Sequence, residues 1–122
     1  MPAEIPIGPA IVAIENIGDE IHEIVILRKL DGSLSVEELL DLPEDEFATK
    51  AAFVGVTRAF PGGIGQTVIY LTPGDYVALC YLPEGATPEV MAQLGGPEDT
   101  VPAGIEIGPP HYELGMIHEF HV

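Results

Sequence analysis

Glycine and proline interrupt this chain so often that long helices and long strands are disfavoured. The 122 residues include 14 glycines and 12 prolines, and both residue types weaken the interior of helices and sheets. Many short segments separated by turn residues are typical of antiparallel β domains. Because 47% of the residues are hydrophobic, the chain can form a core. We therefore expect one all-β domain over residues 1–122.

The segments between these interruptions are rich in β-branched and aromatic residues, which predicts strands. The predicted strands cover residues 11–16, 21–30, 66–71, 76–82 and 116–122. Asn-Ile-Gly-Asp at 16–19 and Thr-Pro-Gly-Asp at 72–75 are turn signals, so the strands on either side of each turn are expected to reverse direction.

A helical insert is predicted between the second and third of these strands. Ser-Val-Glu-Glu at 35–38 is a capping box, which predicts a short helix that ends near Leu42. Pro43 and the three acidic residues after it predict a second helix with Pro43 at its first position. This second helix is expected to turn Phe47, Ala51 and Val54 inward. A third short helix is predicted to start at residues 87–89.

The chain is strongly acidic, which restricts its partners. Twenty Asp and Glu residues against four Lys and Arg give a net charge of −16. Such a chain repels phosphate, so we expect neither nucleic acid nor an anionic membrane surface as a partner. The charge indicates either a field that steers basic partners or cations, or adaptation to a salty environment and solubility.

Several other classes of protein are disfavoured by the sequence. No apolar run approaches the roughly 20 residues of a membrane-spanning helix, and the chain as given has no signal peptide. A nucleophile elbow, a zinc-protease helix and a phosphate-binding loop are all missing from the sequence. We therefore expect none of these three kinds of enzyme site.

One cysteine, two histidines and a methionine form the most informative group. Cys80 is the only cysteine, which excludes an internal disulfide and a four-cysteine zinc site. His22 lies near the start of the second strand, and His111 is followed five residues later by Met116. A thiolate, two imidazoles and a thioether are the ligand set of a blue-copper centre. The alternative for Cys80 is a small buried hydrophobic residue.

Two further histidines, His118 and His121, lie in the last predicted strand. We expect both to be ordinary strand residues, exposed or hydrogen-bonded. The alternative is a surface metal site that they share with nearby glutamates.

Three segments carry a resemblance to the plastocyanin-like cupredoxins. The sequence LTPGDYVALC at 71–80 and HYELGM at 111–116 resemble the family's P-G-x-Y-x-x-x-C and H-x4-M patterns. The sequence NIGDEIHE at 16–23 is similar to the segment that supplies the first histidine ligand. The resemblance covers residues 2–30 and 64–122.

The resemblance implies a cupredoxin-like Greek-key antiparallel β-sandwich of about seven strands with short helical inserts. It implies one type 1 copper ion per chain, with His22, Cys80 and His111 as equatorial ligands and Met116 as the axial ligand. The histidines would bind through Nδ1, which leaves Nε2 of His111 facing solvent as the electron exit. Glu23 would brace the site by accepting a backbone N–H.

The function implied by the resemblance is one-electron transfer between redox partner proteins, outside the cytoplasm, in the periplasm or at the cell surface. Two alternatives remain at this point. One is a copper-binding or copper-delivery protein without a redox role. The other is a metal-free cupredoxin module used for protein contact.

The sequence departs from the family pattern in three places. The connection between Cys80 and His111 is long, and so is the helical insert over residues 35–50. The first strand of the family has no counterpart, which would leave an uncovered sheet edge. We expect that edge to pair in a homodimer or to be covered by the long connection, where residues 102–109 echo residues 2–9.

Overall fold

A computed structural model describes residues 4–82, 85, 87–88, 110–114 and 116–122. Six strands and two α-helices follow one another in these residues. They are β1 (Gly8–Glu15), β2 (His22–Lys29), α1 (Val36–Leu40), α2 (Glu44–Lys50), β3 (Ala51–Ala59), β4 (Ile64–Leu71), β5 (Asp75–Leu79) and β6 (Ile117–His121). A single 3₁₀ turn, His111–Leu114, precedes β6. The predicted helix near residues 87–89 falls largely outside the described residues.

The strands form two antiparallel sheets. One sheet contains β1 and β4, and the other has the order β3-β2-β5-β6. Alternate residues of β1 and β4 point inward, which places Val12, Ile69 and Leu71 against Ile26 and Phe120 of the larger sheet. The expected all-β architecture of packed antiparallel sheets is therefore present, with both sheets contributing to one core.

The two helices cover the other face of the larger sheet. Val36 of α1 and the half-buried Phe47 of α2 pack against Val25, Val77 and Leu79. As a result β5 is buried on both faces, which explains why its sequence is apolar at successive positions rather than alternating. The molecule thus has three layers, and the helical insert forms the third.

The capping box at the start of α1 is confirmed. The Ser35 hydroxyl accepts a hydrogen bond from the Glu38 backbone N–H at 3.1 Å, and the Glu38 carboxylate accepts one from the Ser35 N–H at 3.2 Å. The second predicted helix is also present, although Pro43 is its N-cap rather than its first residue.

The prediction that α2 carries Ala51 and Val54 inward is wrong, because both residues belong to β3. The backbone is already extended at Ala51, with φ −139° and ψ 145°. Residue Ala51 pairs with Lys29 at one end of the β2–β3 ladder. Hydrogen bonding to β2 therefore decides the conformation of this segment, over a local pattern that favoured helix.

Within the described residues, none of the helices is both long enough and apolar enough to cross a membrane.

Candidate metal centre

The loop before β2 is fixed by one buried side chain, Asn16. Its amide group donates hydrogen bonds to the carbonyl of Glu20 at 2.6 Å and to that of Ala59 at 2.9 Å. Its carbonyl oxygen accepts one from the Gly18 N–H at 2.9 Å. The Asn-x-Gly turn that was predicted from the sequence thus fixes the position of His22 at the start of β2.

Backbone hydrogen bonds hold His111 next to the end of β5. The His111 N–H donates to the carbonyl of Leu82 at 2.7 Å, and the Tyr112 N–H donates to that of Cys80 at 2.9 Å. The Cys80 N–H in turn donates to the carbonyl of Met116 at 3.2 Å. The segment that leads into β6 is therefore tied to the cysteine segment by main-chain contacts, although the connecting chain is long.

Three of the four predicted ligands converge at this end of the sheet. The donor atoms of His22, Cys80 and His111 all lie within 4.8 Å of one another. Cys80 Sγ is 3.3 Å from His111 Nδ1, and the two imidazole rings have centroids 4.7 Å apart. This group is a candidate metal site.

The donor atoms fit a metal ion. Nδ1 of His22 is buried and has no hydrogen-bond partner among the described residues, and such a lone pair is costly to leave unsatisfied. Burial lowers the pKa of His22, and the adjacent His111 lowers it further, whereas Glu20 and Asp19 raise it. The net effect favours the neutral imidazole that a metal requires. Donors bound to one ion lie at most about 4.3 Å apart, so binding would draw the three inward by a few tenths of an ångström.

The thiol of Cys80 is almost fully buried, with 1% exposure. Burial raises its pKa, while the backbone N–H groups of Glu23 and Leu82 hydrogen-bond to the sulfur and oppose that rise. A positive metal ion would displace the thiol proton, because the thiolate is the ligand form. The same backbone groups of Glu23 and Leu82 would then favour the thiolate.

Met116 lies beside this group. It borders a shallow, mostly apolar pocket of about 250 Å³ together with Cys80 and Glu23. The Met116 residue is 36% exposed, and its backbone bonds to both Cys80 and His111. Its axial role stays a prediction.

The expectation that Nε2 of His111 faces solvent is wrong. His111 is 3% exposed, and its Nε2 atom is buried. A carboxylate oxygen of Glu20 lies 3.6 Å from that nitrogen and also accepts a hydrogen bond from the Gly85 N–H. The loop before β2 and the chain after β5 thus cover a ring that the family pattern would leave open. His22 is the ligand that is partly exposed.

Glu23 is buried, and its carboxylate forms an ion pair of 2.9 Å with Arg58. The two residues face each other across the β2–β3 ladder. The expected brace through a hydrogen bond to its carboxylate thus involves a guanidinium in place of a backbone donor. The backbone of Glu23 acts on the site by lowering the pKa of Cys80.

The last strand gives no second metal cluster in the described residues. His121 is exposed and contacts Asp75 at 2.8 Å, its partner in the β5–β6 ladder. His118 borders the same shallow pocket as Met116. His121 is therefore a hydrogen-bonded strand residue, as expected.

Neither the protein-family models, nor the curated proteins, nor the solved structures include a match to this chain.

Proposed function

We propose that this chain is a cupredoxin-like domain that binds one type 1 copper ion and carries single electrons between redox partners. The observation that carries the proposal is the convergence of His22, Cys80 and His111 within 4.8 Å at a buried end of an antiparallel sheet. One thiolate and two imidazoles in a plane, with a weak axial thioether, stabilise neither oxidation state of copper strongly. Little reorganisation is then needed when an electron arrives or leaves.

The order of the strands supports the cupredoxin part of this proposal. β2 pairs with β3, and β3 contacts β4. The chain then returns in β5 to lie on the other side of β2. β4 lies in the other sheet, paired with β1, so the path from β2 through β3 and β4 to β5 crosses between the sheets, as the path of a Greek-key sandwich does.

The sulfur environment supports copper over a purely structural cysteine. Backbone hydrogen bonding by Glu23 and Leu82 opposes the rise that burial causes in the pKa of Cys80, and the nearby Nδ1 of His22 has no hydrogen-bond partner in the described chain. A structural cysteine requires neither feature. A thiolate–metal bond uses both, because hydrogen bonds to the sulfur tune a copper–thiolate centre.

The proposed electron path leaves through His22, since His111 is covered. With a net charge of −16, the protein would attract a basic redox partner, at a rate that falls as salt is added. The cupredoxin assignment also places the protein outside the cytoplasm, in the periplasm or at the cell surface. In this proposal it turns over no substrate.

A second candidate, copper binding and delivery without a redox role, is favoured by one observation. The donor atoms lie within 4.8 Å of one another, whereas ligands around one ion lie within about 4.3 Å. A site that must close on its metal is suited to uptake and release, whereas fast electron transfer favours a site that hardly moves.

Addition of Cu(II) to the reduced protein tests the proposal. We expect an intense visible band from thiolate-to-copper charge transfer, lost in Cys80→Ser and kept in His121→Asn, whose imidazole lies outside the site. Full return of the band after reduction and reoxidation, with a Cu(I) chelator present, supports electron transfer. Loss of the reduced ion to the chelator supports delivery. Wild-type protein that stays colourless with a verified free thiol would contradict both.

A further inference from the structure

The covered side of the His111 ring carries a nitrogen, Nε2, that the proposed copper ligands do not use. Nε2 of this histidine is buried, and no hydrogen-bond partner is found for it in the described residues. The carboxylate oxygen Oε1 of Glu20 lies 3.6 Å away. A carboxylate beside a buried ring nitrogen favours the tautomer that carries its proton on that nitrogen, because the N–H can then point at a negative charge.

The position of Glu20 is fixed by contacts at both ends of the residue. Its backbone carbonyl accepts the 2.6 Å hydrogen bond from Asn16, and its Oε1 atom accepts one from the Gly85 N–H. The side chain is 24% exposed, so solvent screens the carboxylate only in part. The carboxylate is therefore held over His111.

The opposite ring nitrogen of His111 faces the thiol. Nδ1 is 3.3 Å from Cys80 Sγ, so it must carry a lone pair in order to bind a metal beside that sulfur. A neutral imidazole with its lone pair on Nδ1 carries its proton on Nε2. The atom that needs the proton is thus the atom that Glu20 faces.

We propose that Glu20 is a positioning residue: it holds His111 in the Nε2-protonated tautomer, and its charge makes the imidazole a stronger ligand for Cu(II) than for Cu(I). This inference rests on the proposed copper site. A carboxylate next to the distal N–H of a metal-bound histidine raises the basicity of that ligand, most of all when the two form a hydrogen bond. The more highly charged ion gains more from a basic ligand, so Glu20 lowers the reduction potential.

Glu20→Gln separates the charge of this side chain from its packing. Glutamine has nearly the same shape and keeps an oxygen that can accept from Gly85, so the loop is expected to stay in place. Asp19→Asn is the matched control, since it removes one negative charge from the adjacent residue. Comparing the two variants removes the general effect of net charge on the copper site.

The first measurement is the affinity for Cu(II) and Cu(I), each by competition with a chelator, together with the potential of the bound ion. We expect Glu20→Gln to lose about 10-fold in Cu(II) affinity relative to Asp19→Asn, with a smaller loss for Cu(I). Because the Cu(I) affinity also falls, we expect the potential to rise by less than about 59 mV, which is the shift for a 10-fold change in the ratio of the two affinities. Equal potentials in the two variants would overturn the inference while leaving the copper site intact.

The second measurement needs no metal. In the metal-free protein, nitrogen NMR of labelled histidine reports which ring nitrogen of His111 is protonated. We expect the Nε2-protonated form in the wild type and a measurable Nδ1-protonated fraction in Glu20→Gln. A wild-type His111 protonated at Nδ1 would overturn the inference. This result is independent of copper binding, so failure of the inference and failure of the proposed function are distinguishable.

Discussion

The candidate metal centre and the outer face of the smaller sheet differ in what they expose to solvent. At the end of the larger sheet that carries the candidate metal centre, Asn16 ties the neighbouring loops together, and His111 is buried. On the smaller sheet, the outward side chains of Ile11, Val68 and Tyr70 are each about 70% exposed. The first region buries its polar groups and leaves ring nitrogens of His22 and His111 without hydrogen-bond partners among the described residues. The second leaves apolar surface in contact with water, as an interaction surface does.

The edge strand of the smaller sheet, β1, also differs from the candidate metal centre. In the described part of the chain, β1 has a strand partner on one side only. A groove of about 380 Å³ runs along this region and is bordered by core residues that include Val12, Ile26 and Phe120. The candidate metal centre therefore gathers donor atoms around one point, and the β1 region has the features of a strand edge that another strand can join.

The largest expected difference between the two regions is in how much one substitution lowers the free energy of unfolding. Ile26→Ala removes a side chain with 0% exposure and should lower the free energy of unfolding by about 2–5 kcal/mol. Ile11→Ala on the outer face of β1 should change it by less than about 0.5 kcal/mol. Denaturant unfolding measures both. Similar losses in the two variants would mean that the outer face is covered in solution.

An intermediate effect is expected at the ion pair next to the centre. Arg58→Ala leaves the buried carboxylate of Glu23 without its 2.9 Å partner and should cost about 1–3 kcal/mol. Lys50→Ala breaks the more exposed 3.5 Å pair with Asp31, so it serves as the control and should cost about 0–1 kcal/mol. Equal costs measured by denaturant unfolding would contradict the idea that the metal-centre end is the more closed region.

The sequence allowed local features to be predicted better than contacts between distant residues. The capping box, the Asn-x-Gly turn and the positions of five strands follow from short-range rules, and the structure contains them. β3 was missed because its pairing with β2 overrides a helical pattern. The convergence of His22, Cys80 and His111 was expected only through a family resemblance.

Glu20 and Arg58 had no signal in the sequence that linked them to the site. The role of Glu20 depends on where the chain after β5 passes over His111. The role of Arg58 depends on the register between β2 and β3, which places it opposite Glu23. Neither position follows from local spacing, because both require the three-dimensional path of segments far apart in the sequence.

A smaller change in the stability of the metal-free protein is expected when the pH is lowered. Because burial lowers the pKa of His22 in the folded protein, the unfolded chain binds more protons than the folded one just below the ordinary histidine pKa of about 6.5. Stability of the metal-free protein should therefore fall as the pH drops below that value. Unfolding curves at several pH values should show a weaker fall in His22→Asn. The same fall in both proteins would assign it to other groups.

The last expected effect is on self-association, which tests whether the open edge of β1 pairs with a second copy. It should change the stability of the monomer least. We expect wild-type protein to form a homodimer through β1 as its concentration rises. Ile11→Lys should shift it to monomer without loss of stability, because lysine protects an exposed edge. Ile17→Lys, at a residue 92% exposed outside the edge strand, is the control. A wild-type monomer at all concentrations in sedimentation would contradict this prediction.

X-ray absorption at the copper edge of the loaded protein tests the central claim most directly. If His22, Cys80 and His111 bind one ion together, the spectrum should report one sulfur at about 2.2–2.3 Å and two nitrogens at about 2.0 Å from the copper. The sulfur contribution should disappear in Cys80→Ser. A wild-type spectrum with nitrogen and oxygen ligands alone would contradict the claim that these three residues form a copper centre.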